Sequence, residues 1–163
     1  MLSDIIDAAE SNARSTGRAL PYYNIETKTE GAAGDNIYHP APKVFVKLLM
    51  DVLKSKNITS RVMIQSFDVR TLKELHTSYP TIKTAHLVSS GTLSANVTKL
   101  GFAPTVYSPN YTIVTQAVVV DCHNRNIRII PWTVNTQAAV NTQIALGVDG
   151  IISDYPDLNF TGK

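Results

Sequence analysis

From residue 61 onward the chain repeats one pattern: a short apolar run, a polar turn, an amphipathic stretch, then another apolar run. The pattern predicts strands at Arg61 to Phe67, Ile82 to Val88, Pro104 to Tyr107, Ile127 to Val134 and Gly150 to Ser153. Between them it predicts helices at Val69 to Ser78, Leu93 to Leu100, Thr112 to Arg125 and Thr136 to Leu146. The units recur roughly every twenty to thirty residues, the scale of a βα unit in a parallel sheet. An open doubly wound sheet and a closed (β/α)₈ barrel both accept such a chain.

Two observations separate them. No Gly-x-Gly-x-x-Gly follows any strand, which counts against a dinucleotide-binding open sheet. Polar or aromatic residues do stand at almost every strand's C-terminal end: Glu26 and Lys28, Gln65 and Asp68, Ser108 and Asn110, Trp132 and Asn135, and Asp154. In a barrel those ends converge on one face, where active sites lie. The barrel is the better fit, but only six strands are predicted, and 163 residues is shorter than the roughly 200 such barrels need.

The sixth strand comes first in the chain. Ser3 or Asp4 caps a helix to about Ser15 with Ile5, Ile6 and Ala9 on its buried face, and Gly17 stops it. Tyr22 to Lys28 then reads as a strand. Its period of two puts Asn24, Glu26 and Lys28 on one face and Ile25 and Thr27 on the other. That charged row reads either as a solvated edge or as the polar end of a site. Residues 29 to 42 form a loop long enough to suggest function. A helix follows from Pro42 to Lys56, with Val44, Phe45, Leu48, Leu49 and Val52 at helical spacing.

Composition removes several classes. A 44% hydrophobic, 17% charged chain is a globular domain and not a disordered one. A formal net charge of +2 with scattered basic residues argues against nucleic acid as a partner. No apolar run is long enough to span a bilayer, and no signal peptide is expected at Met1 to Ile6, which leaves localisation open. The single cysteine, Cys122, can form no intrachain disulfide.

Three stretches carry more than pattern. Arg61-Val62-Met63-Ile64-Gln65-Ser66-Phe67-Asp68 with Thr71 to His76 is one; Ile129-Ile130-Pro131-Trp132-Thr133-Val134-Asn135 with Leu146 to Pro156 is another. Both resemble the second half of the glycerophosphodiester phosphodiesterase family, and Asn24-Ile25-Glu26-Thr27-Lys28 resembles its fourth strand. The resemblance implies an α/β chain forming an incomplete TIM (β/α)₈ barrel, about strands 4 to 8 with their helices. Residues 1–163 would then be one partial domain lacking the first three strands.

The implied activity is metal-assisted hydrolysis of glycerophosphodiesters such as glycerophosphocholine to glycerol 3-phosphate and an alcohol. The resemblance implies a divalent cation, Ca²⁺ or Mg²⁺, held by carboxylates of the second and fourth strands. It also implies two acid–base histidines, one in a His-Arg-Gly motif and one in a His-Asp pair. Such a reaction needs a proton for the leaving group and a cation beside the phosphorus. Glu26 matches the fourth-strand metal ligand, Lys28 a residue facing the substrate phosphate, Trp132 an aromatic wall beside the alcohol, and Phe67 a second apolar flank.

The His-Arg-Gly motif, the Glu-x-Asp strand and the His-Asp pair do not occur here, so no catalytic residue is assigned. His76 and His123 read as surface residues, His86 as a strand histidine, and His39 as the one histidine on the catalytic face. Asp154 and Asp157 read as loop or capping residues. The chain alone is therefore expected either to belong to a working phosphodiesterase or to be catalytically inactive. In the second case it would hold the cation weakly or not at all, complete its barrel with another chain, and self-associate through exposed barrel edges.

Overall fold

The computed structural model describes residues 1–160, which contain six α-helices and five strands falling into two compact units, Met1–Lys83 and Thr84–Lys163. Every strand pair described within a unit is parallel.

The first unit runs α1 (Leu2–Ser15), β1 (Tyr23–Glu26), α2 (Pro42–Ser55), β2 (Val62–Ser66) and α3 (Val69–Ser78). Pro42 opens α2 at a position where the missing N–H costs no helical bond. Asp68 caps α3 by accepting the Arg70 amide at 2.9 Å. In β2 burial alternates along the strand: Val62, Ile64 and Ser66 are buried, while Met63 and Gln65 face the other side. Val46, Leu49, Met50 and Leu53 of α2 and Leu72 and Leu75 of α3 are buried, and α2 lies against α3. Each such side chain is worth ~1.5–3 kcal/mol when removed from water.

The second unit runs β3 (Lys83–Val88), α4 (Leu93–Leu100), β4 (Val106–Pro109), α5 (Gln116–Asn124), β5 (Arg128–Ile129) and α6 (Gln137–Leu146). Thr92, Thr115 and Thr136 each cap the following helix through the side-chain oxygen. Gly101 and Gly147 end α4 and α6 at φ 85° and 82°, a conformation that disfavours any side chain. The core joins Val88, Leu93, Tyr107, Val119, Cys122, Ile127, Ile129 and Val148.

Several expectations are corrected. Residues 150–153 do not form a strand: Ile152 exchanges two backbone bonds, donating to Pro131 O and accepting from Val134 N, without a continuous ladder. The strand expected over 127–134 is continuous only at Arg128–Ile129, although the Ile130 and Trp132 amides still donate to Tyr107 O and Pro109 O at 3.0 Å each. The strand at 104–107 shifts to Val106–Pro109, and the helix expected from Thr112 becomes a 3₁₀ turn at Tyr111–Ile113 followed by α5. In α1 only Ile6 and Ala13 are buried, and Ile5 is exposed. In α2, Val44 and Leu48 are exposed.

Candidate functional site

The first unit positions the charged strand end through Thr27, the residue between its two charges. Thr27 is buried; its amide donates to Gln65 O at 3.0 Å, and its carbonyl accepts the Ser66 hydroxyl at 2.8 Å. Its own hydroxyl shares a 2.8 Å hydrogen bond with Thr71 of α3. With Thr27 fixed toward the helices, the alternation of the chain turns Glu26 and Lys28 the other way. Glu26 is a quarter exposed, and Lys28, 82% exposed, stands 3.9 Å from it, a weak surface pair. Gln65, beside Glu26 in the β1–β2 register, accepts a 2.8 Å hydrogen bond from Asn24 on the same face.

Glu26 and Lys28 open into a cleft of about 460 Å³ whose other walls come from Thr29, Glu30, Tyr38, His39, Phe67 and Asp68. Phe67 is 48% exposed and Tyr38 77%, so both rings present apolar surface to the cleft and to solvent. Glu26, Lys28 and Phe67, singled out from the sequence, thus meet in one place. Tyr38, Glu30 and Thr29 were not singled out; their only signal was membership of an unusually long loop.

That loop is tied down by polar bonds. Asn36 adopts φ 61°, its amide donates to His39 O at 2.7 Å, and its side chain accepts the Ala41 amide at 3.3 Å. Gly34 fits only because it lacks a side chain: a Cβ there would come within 2.7 Å of both Glu30 Cβ and the His39 ring. Thr29 donates its hydroxyl to Asp68 Oδ2 at 2.6 Å, and Arg70 grips both Asp68 and Asp35. Burial works against charge on Asp68, but the bonds from Arg70 and Thr29 outweigh it and hold its pKa down to about 2. The same bonds, Asp68 first and then Asp35, raise the pKa of Arg70.

His39 lines the cleft, but both ring nitrogens are engaged. Nε2 accepts the Glu30 amide at 2.8 Å, so the proton of the neutral ring sits on Nδ1, 3.1 Å from Pro40 O. His76 and His123 are exposed, as expected, and His123 Nε2 lies 3.0 Å from Asp149. His86 is 2% exposed in β3, and burial, with Lys99 adding to it, depresses its pKa to about 4. Its Nδ1 has no hydrogen-bond partner among the described residues.

In the second unit Trp132 is half-buried, its indole N–H donating to Ser108 O at 2.8 Å and its amide to Pro109 O at 3.0 Å. Asn135 links Ser153 and Asp154 through its side chain, the loop role expected of Asp154; Asp157 is exposed.

The donor set was tested for a divalent cation. Hard cations take six or more oxygens, and among the described residues no group of three or more His, Cys, Asp or Glu is placed to hold one. Asp68, another carboxylate lining the cleft, is already paired with Arg70. The carboxylates lining the cleft therefore do not fit a complete cation site by themselves.

Parallel β/α units with a charged cleft at the strand ends are the arrangement expected of part of a (β/α)₈ barrel. The chain belongs to the glycerophosphoryl diester phosphodiesterase family, whose model matches residues 11–158. A glycerophosphodiester phosphodiesterase of Bacillus altitudinis is 32% identical over 145 residues, 87% of this chain and 56% of that protein. A candidate glycerophosphoryl diester phosphodiesterase from Silicibacter pomeroyi superposes with TM-score 0.78 at 23% identity, over 96% of this chain and 53% of that one. A phosphodiesterase of Oleispira antarctica, solved with the product sn-glycerol 3-phosphate, superposes with TM-score 0.70 at 18% identity, over 90% of this chain and 56% of that one. These likenesses show the fold, part of a (β/α)₈ barrel. The chain spans about half the length of the curated relatives it matches.

Proposed function

We propose that this chain carries part of the active face of a glycerophosphodiester hydrolase, a protein that cleaves glycerophosphodiesters to glycerol 3-phosphate and an alcohol. The observation that supports the reading is the family match over 11–158 with Glu26 and Lys28 side by side in a cleft of the first unit. In this reading Lys28 meets the phosphate as a mobile point charge and Phe67 flanks the glycerol or alcohol; Trp132, in the second unit, is a separate candidate for an aromatic contact with the alcohol. Glu26 is the carboxylate here that would contribute one oxygen toward holding a divalent cation, Ca²⁺ or Mg²⁺, whose other ligands would have to come from outside this cleft.

The remaining ligands and the acid–base groups are not in this cleft, and His39 is committed to its loop. The chain alone is therefore proposed to bind the phosphate ligand without turning over substrate, and to associate with itself or with polypeptide that completes the barrel. The test is hydrolysis of glycerophosphocholine by the purified chain with Ca²⁺ or Mg²⁺, alongside its size in solution. We expect no metal-dependent turnover and a species larger than a monomer. Turnover that disappears in Glu26→Ala would overturn the inactive reading, and a stable monomer would overturn the association.

A further inference from the structure

We propose that Arg70 is a positioning residue for the cleft, holding the 29–41 loop in place as one of its walls without itself lining it. The inference rests on the reading of the cleft as a ligand site.

Arg70 sits in the first turn of α3, a helix anchored by the buried Leu72 and Leu75. Its Nη1 donates to Asp35 Oδ2 at 2.7 Å, in the middle of the loop. Its Nη2 donates to Asp68 Oδ2 at 2.6 Å and its Nε to both Asp68 oxygens at 3.0 Å. Asp68 Oδ2 also accepts the Thr29 hydroxyl, at the start of the loop. One planar cation thus joins the beginning and the middle of the loop to a rigid helix, a geometry that a lysine, as a single point of charge, cannot reproduce.

Apolar packing by the loop's larger side chains adds little to this. Ile37 is 70% exposed and Tyr38 77%, so its larger side chains bury little apolar surface. What the clamp delivers is visible at the cleft: the Glu30 amide donates to His39 Nε2, and the His39 ring packs close to Gly34 and is almost fully buried. Arg70 acts through that wall and touches no reacting atom.

The full chain tests this with three variants: Arg70→Met, Arg70→Lys, and Asp35→Ala, which cuts the loop link but leaves the cap of α3. In Arg70→Met and Asp35→Ala, amide exchange at Glu30 and Asn36 should rise about ten-fold or more, the loss of a charge-assisted bond, with β1 and β2 amides unchanged. The nitrogen NMR signals of His39 should move from the Nδ1–H tautomer toward a mixture, and Arg70→Lys should restore part of both. Loop and strand amides accelerating together, or an unchanged His39 signature in Arg70→Met, would overturn the proposal. Titration with sn-glycerol 3-phosphate and Mg²⁺ provides the second arm. A loosened loop with undiminished affinity sinks the positioning role. A wild-type chain that binds none, with the loop responding as expected, sinks the ligand reading and leaves the clamp standing.

Discussion

The two units are nearly equal in length but hold their parts together differently. In the first, charges bridge elements far apart in the chain: Glu10 of α1 to Arg61 before β2, and Asp35 in the loop to Arg70 on α3. Arg61 also donates to Pro21 O at 2.6 Å, and Tyr23 to Glu10 at 2.8 Å, so one guanidinium and one carboxylate fasten α1 to the entry of β1. In the second unit the Arg125–Asp121 pair lies within a single helix end, the longer-range His123–Asp149 contact is largely exposed, and a continuous apolar cluster joins strands to helices. Apolar packing fixes a core but not an exposed loop, whereas directional bonds to a guanidinium do. The candidate site lies in the unit that uses them.

The largest effects should not distinguish the units, because both have buried cores. Leu72→Ala in the first and Ile129→Ala in the second should each cost about 2–5 kcal/mol in denaturant unfolding, since both side chains are fully buried. A much smaller loss for Leu72→Ala would mean that charge carries more of the first unit than its packing indicates.

Acid should then separate them. The folded-state pKa of His86 lies near 4, below its ordinary 6.5. Its unfolded form therefore takes up a proton first, and stability of the second unit falls as pH drops from 6.5 to about 4, by up to about 3 kcal/mol. Asp68 and Glu10 are held down to about 2, Glu10 chiefly by its bond from Arg61. Their stabilisation is complete above their ordinary 3.8 and 4.5 and is lost as pH falls toward 2. Amide exchange followed across pH should show the second unit loosening first, and His86→Leu should remove that early phase while the late one persists. Simultaneous loosening of both units at every pH would erase the distinction.

The smallest effect belongs to Lys28→Ala. With the side chain mostly exposed and 3.9 Å from Glu26, stability should change by about 0.5 kcal/mol or less. Affinity for sn-glycerol 3-phosphate should nonetheless fall roughly ten-fold. A stability loss as large as that of a core variant would make Lys28 structural.

Much of the fold was legible because its signals are local. Asp68, Thr136 and Gly101 mark helix ends by bonds made within a few residues, so α3, α4 and α6 fall where the sequence places them. The phase of α2 was not legible: Val44, Phe45, Val46, Leu48, Leu49, Met50, Val52 and Leu53 wrap apolar surface around most of the helix, and only packing selects the face through Val46, Leu49, Met50 and Leu53. The apolar runs at 127–134 and 150–153 look like full strands in sequence but pair through isolated backbone bonds, such as Trp132 to Pro109 O and Ile152 to Pro131 O, which composition does not reveal. At the site, Glu26, Lys28 and Phe67 could be read from strand alternation and family resemblance. The Thr29–Asp68–Arg70–Asp35 clamp could not, because its partners are separated by 35 and 39 residues and leave no periodic trace.

Cys122 supplies one practical consequence. It is the chain's sole cysteine, is fully buried on the inner face of α5, and burial pushes its thiol up to about 12. At neutral pH it is therefore poorly nucleophilic and shielded from reagents. A cysteine introduced at exposed Tyr38 or Lys28 would be the reactive thiol by a wide margin, so a fluorophore or spin label could be attached there without first removing the native one. The motion of the cleft's rim could then be followed in an otherwise unaltered chain.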